Sequence, residues 1–215
     1  EFWSGLLDGI YAIAITLLVL EIPDILTKTS ELFQGQNIYK FATLIVITNE
    51  LFNYIFIFLI LYEFWCFHRA SIKLTRLEKR WQNFFNSLLL ANICLLPATK
   101  SFIISKELQI IGNKAIELNN TNIWKFFFEF FNTTPAIHLV YFQCALFFII
   151  LTTLLSKTKD NISLEIKQIK IESKKRILIF TLLFSFNYFI DYPHDLINLC
   201  YLLYSNYERQ TFENR

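Results

Sequence analysis

The sequence predicts an all-α integral membrane protein with six transmembrane helices in a single domain spanning residues 1–215. Three observations carry that expectation. The chain is 54% hydrophobic and only 18% charged, whereas a soluble domain is about 45–50% apolar and about 25% charged. Its apolar residues gather into runs of roughly twenty, the length that crosses a ~30 Å hydrocarbon core at ~1.5 Å per residue. Its basic residues concentrate in the stretches between runs, over 68–80 and 157–176. Twenty-four Phe against four Gly fit long lipid-facing helices with few tight turns.

The first helix is expected over about 6–22, where an apolar run has Asp8 near one end, Glu21 near the other and Thr16 inside. Charge at the centre of a bilayer-spanning helix costs about 2.5–3.5 kcal/mol, so both acids belong near the edges or against protein. Pro23 and Asp24 are expected to end the helix. Its N-terminal position invites comparison with a signal peptide. The residues before the run are acidic rather than basic and no small-x-small cleavage site follows Leu20, so a retained helix is expected. The chain contains no Met, which predicts that residues precede Glu1 in the natural protein.

The second helix is expected over about 41–66, with Asn49, Glu50 and Asn53 embedded in it, and the third over about 81–104. The fourth is expected over about 130–155, Pro135 near its start and an aromatic lead-in at Trp124 to Phe128 at the interface. In 157–176, Ile162, Ile166, Ile169 and Ile171 interleave with Lys and Glu. This pattern predicts an amphipathic helix that either extends a span or lies on the membrane surface. The fifth and sixth helices, about 177–190 and 193–205, flank Asp191-Tyr192-Pro193-His194-Asp195 and are read as a tight hairpin. A single crossing there would bury two Asp and a Pro at mid-bilayer. The two basic stretches follow the second and fourth helices, so the excess of Lys and Arg predicts that both termini are cytoplasmic. An even number of crossings predicts the same.

Cys66, Cys94, Cys144 and Cys200 show no CxxC spacing and are expected to be small buried hydrophobes rather than a disulfide or metal set. A net charge of +2 gives no sign of a nucleic-acid partner, and none is expected. Asp191, His194 and Asp195 have the residue types of a metal or hydrolytic site, but solvated hairpin residues are the expected role. The triplets at 119–121, 132–134 and 161–163 match glycosylation acceptors, a pattern that arises readily by chance in an Asn-rich chain.

Ile13, Leu17 and Leu20 share one stripe of the first helix, with Thr16 beside it. A branched apolar stripe suits ordinary helix packing and equally a narrow dry ion pathway. The Thr16 hydroxyl has two uses open to it: an oxygen for a partly dehydrated cation, or a bond back to the carbonyl four residues earlier. A carbonyl-lined selectivity loop is not available, since there is no Thr-Val-Gly-Tyr-Gly and the glycines are scattered.

The run Ala12-Ile13-Ala14-Ile15-Thr16-Leu17-Leu18-Val19-Leu20-Glu21-Ile22 resembles the first helix of the transmembrane protein 175 family of potassium channels. That family carries Arg-x-x-x-Phe-Ser-Asp-Gly just before it. Asp8 and Gly9 match, while Phe2, Leu6 and Leu7 stand where Arg, Phe and Ser are expected. Trp65-Cys66-Phe67-His68 resembles the family's Trp-x-x-His at the end of helix two. Asn86, Leu88 to Leu90 and Leu96-Pro97-Ala98-Thr99 resemble its third helix and are expected to serve packing and a helix break. The resemblance implies a homotetramer in a lipid bilayer, of the prokaryotic single-repeat type and hence in a cytoplasmic membrane. It implies a pore lined by helix one, with Ile13, Leu17 and Leu20 as a hydrophobic filter and Thr16 close to it. It implies K+ as permeant ion at modest selectivity, no cofactor, no metal and no enzymatic activity. It also implies a polar pair between Asp8 and His68 holding helix one to helix two. Three other readings stay open from the residues alone: a channel-derived scaffold that does not conduct, a small transporter, and an intramembrane hydrolase using Asp191, His194 and Asp195.

Overall fold

Five long helices run through the computed structural model, which describes residues 2–32, 39–75, 77–117, 137–156, 164–189, 200–201 and 203–205. They are α1 (Phe2–Leu32), α2 (Tyr39–Thr75), α3 (Arg80–Glu117), α4 (Ile137–Ser156) and α5 (Leu164–Phe189). Residues 200–201 and 203–205 are also helical, and no strand occurs among the described residues. Among the described residues, four helices contain a stretch long and apolar enough to cross a membrane: Trp3–Lys28, Glu50–Thr75, Arg80–Ile103 and His138–Ser156.

Each of these helices was expected, but the first three are longer than their apolar runs. Pro23 lies inside α1 and Pro97 inside α3, so neither ends its helix. Proline removes one backbone donor, which ends helices in water. In an apolar surrounding every alternative conformation exposes more unpaired backbone, so the helix continues through the proline. The basic stretch after the second run is mostly helix as well, since α2 continues to Thr75.

The link from α2 to α3 is correspondingly tight. Leu77 adopts φ of 46° and is buried. A left-handed backbone is costly for a branched side chain without a tertiary anchor. The Lys79 amide donates to Oε1 of Gln82 at 2.9 Å, capping the start of α3 in the manner of a capping box.

α5 joins the basic stretch and the fifth predicted run in one helix, so the amphipathic segment extends that run. Of the fourth predicted run, residues 130–136 lie outside the described residues. So do residue 190 of the fifth run, most of the sixth, Asp191, His194, Asp195, the aromatic lead-in and the three glycosylation triplets.

α1 packs on α2 and α3, α3 packs on α4, and α4 and α5 form the most extensive pair, an antiparallel hairpin. Leu7, Tyr11, Ala14 and Leu18 are the face of α1 that enters the core. They recur at helical spacing and meet Ile57, Ile60, Leu61 and Phe64 of α2 and Leu89, Ile93 and Leu96 of α3 in one buried cluster. α4 fills the other side with Tyr141, Cys144, Phe147, Phe148 and Leu151. The rings of Phe64 and Phe147 stack with centroids 3.9 Å apart, and Phe148 sets its edge against both. Lipid-soluble helices gain little from excluding water, so such close ring packing is a main source of cohesion. Cys144 is buried as expected, Cys66 is half-buried, and Cys94 and Cys200 are exposed.

Replacing Phe147 by Ala removes the stacking partner of Phe64 and is expected to cost about 3–5 kcal/mol. Phe142→Ala, on the exposed side of the same helix, is expected to leave stability nearly unchanged. Thermal unfolding of the two detergent-solubilised variants checks this; equal melting temperatures would remove the stack from the core.

Candidate functional site

α1 presents two faces. The buried one is described above; on the other, Ile13, Leu17 and Leu20 are 60%, 46% and 64% exposed. Among the described residues no helix buries this stripe, although Leu17 and Leu20 stand beside α3. Thr16 is exposed beside it, and its hydroxyl donates to the carbonyl of Ala12 at 2.8 Å, the back-bonded arrangement. One lone pair of that oxygen still faces outward, since a hydroxyl accepts as well as donates. Toward its C-terminal end the stripe borders an open groove of about 660 Å³ between α1 and α3. Leu17, Leu20, Glu21 and Asp24 form one wall, and Cys94, Pro97, Ala98, Ser101 and Phe102 the other.

The other face of α1 is held by polar groups near Asp8. Asp8 Oδ1 accepts from the Trp65 indole N–H at 2.7 Å. His68, fully buried, bonds through Nε2 to Asn86 Oδ1 at 2.7 Å. The expected direct pair between Asp8 and His68 therefore gives way to two links, one from α1 to α2 and one from α2 to α3. The cause is reach: the large indole one turn before His68 takes the carboxylate, and the imidazole turns toward α3. Tyr11 sets its ring edge-on to His68 at 6.2 Å, so α1 still touches the imidazole. Asn86, expected only to pack, is a member of this network.

Three further polar links tie the bundle together. Lys100 and Glu50 form an ion pair at 3.0 Å with side chains only 4% and 3% exposed, joining α3 to α2. Asn92 and Gln143 exchange bonds, each side-chain amide donating to the other's backbone carbonyl at 3.1 and 2.8 Å, joining α3 to α4. Glu63 receives Arg176 Nε on one oxygen and the Tyr201 hydroxyl on the other, both at 2.7 Å. Arg176 also reaches Glu172 at 2.8 Å and lies 5.2 Å from the Phe67 ring centre. Sequence reasoning marked Glu50 as embedded but not Lys100, Glu63 or Arg176. Each sits within or beside an apolar run, where an ionisable residue calls for a partner, and that was the signal to follow. No cluster of three or more metal-ligating side chains occurs among the described residues.

The polar links described above hold helices together, and the exposed stripe on α1 is apolar, as are exposed stripes on the other helices. Residues 4–97 match a family described as endosomal/lysosomal potassium channel TMEM175. The matched segment covers most of α1, all of α2 and the first half of α3, and so includes Ile13, Thr16, Leu17, Leu20, Asp8 and His68. No curated protein and no solved structure matches the chain. The match and the four apolar helices together support a multi-pass membrane protein.

Removing one member of the buried pair strands the other charge, so Glu50→Leu or Lys100→Leu alone is expected to cost about 3–5 kcal/mol. The double variant is expected to recover most of that loss. Melting temperatures of the two single variants and the double variant check this. A double variant as unstable as the sum of the singles would deny the pair any mutual dependence.

Proposed function

We propose that the chain is one subunit of a homotetrameric potassium-permeable channel with the first helix of each subunit at the axis. Ile13, Leu17 and Leu20 form stacked apolar constrictions, and Thr16 offers a hydroxyl oxygen beside them. The observation that carries this reading is the bare stripe on α1, which lies inside the segment matched to a potassium-channel family. A constriction of branched side chains sheds water when narrow and wets when small helix movements widen it. Selectivity then comes from the narrow apolar neck and from oxygens near it, and is modest because no ring of backbone carbonyls replaces the hydration shell. No cofactor takes part; the ligand is the permeant K+ itself.

The polar links at Asp8, Trp65, His68 and Asn86 support this function indirectly. They hold the rear face of α1 against its own subunit while the front face is left free. Six crossings, with α5 and the segment ending in the helix around Tyr201 as the last two, bring both basic stretches to the side of the termini. The abundance of Lys and Arg there makes that side cytoplasmic. A single-repeat subunit of this kind fits the cytoplasmic membrane of a prokaryote.

Flux into liposomes tests the reading. Purified protein is expected to pass K+ faster than Na+, and Leu17→Asn or Leu20→Asn is expected to raise leak or level the two rates. Wild-type currents in both variants would remove those residues from the pathway. No flux above empty liposomes from folded tetramers would identify a scaffold that does not conduct. No flux and no tetramer would leave a transporter or a hydrolase, and His194→Ala would then separate those two.

A further inference from the structure

The N-terminal half of α5 is not used by the proposed channel function. Its inward face is accounted for: Ile166, Ile169, Ser173 and Arg176 are buried. Its outward face carries Lys167 and Lys174 interleaved with Ile171 and with Leu164, which is 82% exposed, and Lys170 stands half-buried at the edge of that face. The same stripe continues one turn later as Leu178 and then Leu182, 62% and 48% exposed and purely apolar. A stripe that changes along one helix from mixed basic and apolar to wholly apolar marks an entry into a bilayer.

The ring contacts set the depth of the lysines. Tyr141 meets Phe180 at 6.4 Å, and His138 meets Phe184 at 6.2 Å, fixing the antiparallel register of α4 and α5. Eleven residues onward along α4 reach Thr152, and eleven residues back along α5 reach Ile169, so these two lie level. Lys167 and Lys170 therefore stand beside the last turns of α4, whose apolar stretch ends at Ser156. Side chains on a helix tilt toward its N-terminus. For α5 that direction leads out of the membrane, so Lys174 extends its ammonium toward the same level along an apolar stem.

α2 adds charge at this depth. The Glu63–Arg176 bond makes those two residues level, and six residues further out on each antiparallel helix Arg69 stands level with Lys170. Of the two acids on α5, Glu172 already receives Arg176 and Lys175, and the exposed Glu165 at the first turn leaves the three lysines in excess.

From this juxtaposition we infer that Lys167, Lys170 and Lys174 form a docking strip for the headgroups of anionic phospholipids at one surface of the bilayer. The occupant follows from position and charge together. An ammonium row at headgroup depth faces phosphates, and the intervening Ile171 and Leu164 meet acyl chains, which a nucleic acid or an acidic soluble protein does not supply. The inference depends on membrane insertion alone and stands whether or not ions pass along α1.

The test is native mass spectrometry of the full-length protein in neutral detergent with phosphatidylglycerol or phosphatidylcholine added. The wild type is expected to retain phosphatidylglycerol in preference to phosphatidylcholine by about tenfold or more, and to lose that preference as salt is raised. Lys167→Gln/Lys170→Gln/Lys174→Gln is expected to bring the two lipids near parity. The triple Lys-to-Arg variant, and Lys28→Gln on α1, are expected to keep the preference. Equal retention of the two lipids by the wild type would overturn the proposal. So would an undiminished preference in the triple Gln variant, or an equal loss in Lys28→Gln.

Discussion

A carboxylate inside an apolar bundle must find a cation or a donor, and α2 carries two of them. Glu50 faces Lys100 of α3, while Glu63 faces Arg176 of α5 and Tyr201. Losing either partner leaves a charge where neither water nor lipid can stabilise it. The two carboxylates thus fix the heights at which α3 and α5 meet α2. The shorter polar links follow from that frame. With α3 held at Glu50, Asn86 comes level with His68, and with α5 held at Glu63, Phe180 comes against Phe148 and Tyr201.

The same frame explains why α1 has an unfinished look. It takes part in neither ion pair. Its hold on the subunit is one apolar face, the bond from Trp65 to Asp8 and the ring of Tyr11 against His68. On its far side Ile13, Leu17 and Leu20 lie beside Thr16, which bonds back to Ala12, and beside Glu21 and Asp24 at the groove toward α3.

Much of the fold was legible in the sequence because hydrophobic runs of membrane length leave few alternatives. The centres of the first three helices and of the fourth lie where the apolar runs put them. Their ends were not legible, since Pro23 and Pro97 stop helices in water and fail to do so here. Within the candidate site, the stripe of Ile13, Leu17 and Leu20 was visible from spacing alone, but spacing cannot tell a covered stripe from a bare one. Partner choice was the hardest part. Asp8 meets Trp65 rather than His68, and Arg176 meets a glutamate far away in the chain. Such pairings depend on helix height and side-chain reach, which emerge only after the helices have packed.

The one-sidedness of α1 also bears on biogenesis. A soluble subunit with an equally bare apolar face would aggregate before meeting its neighbours. In a bilayer the acyl chains cover Ile13, Leu17 and Leu20 as well as protein would, because lipid tails are as apolar as Leu. Each chain can therefore complete its own folding after insertion with that face against lipid. In the proposed tetramer, assembly is then a separate, later event governed by the density of chains in the membrane.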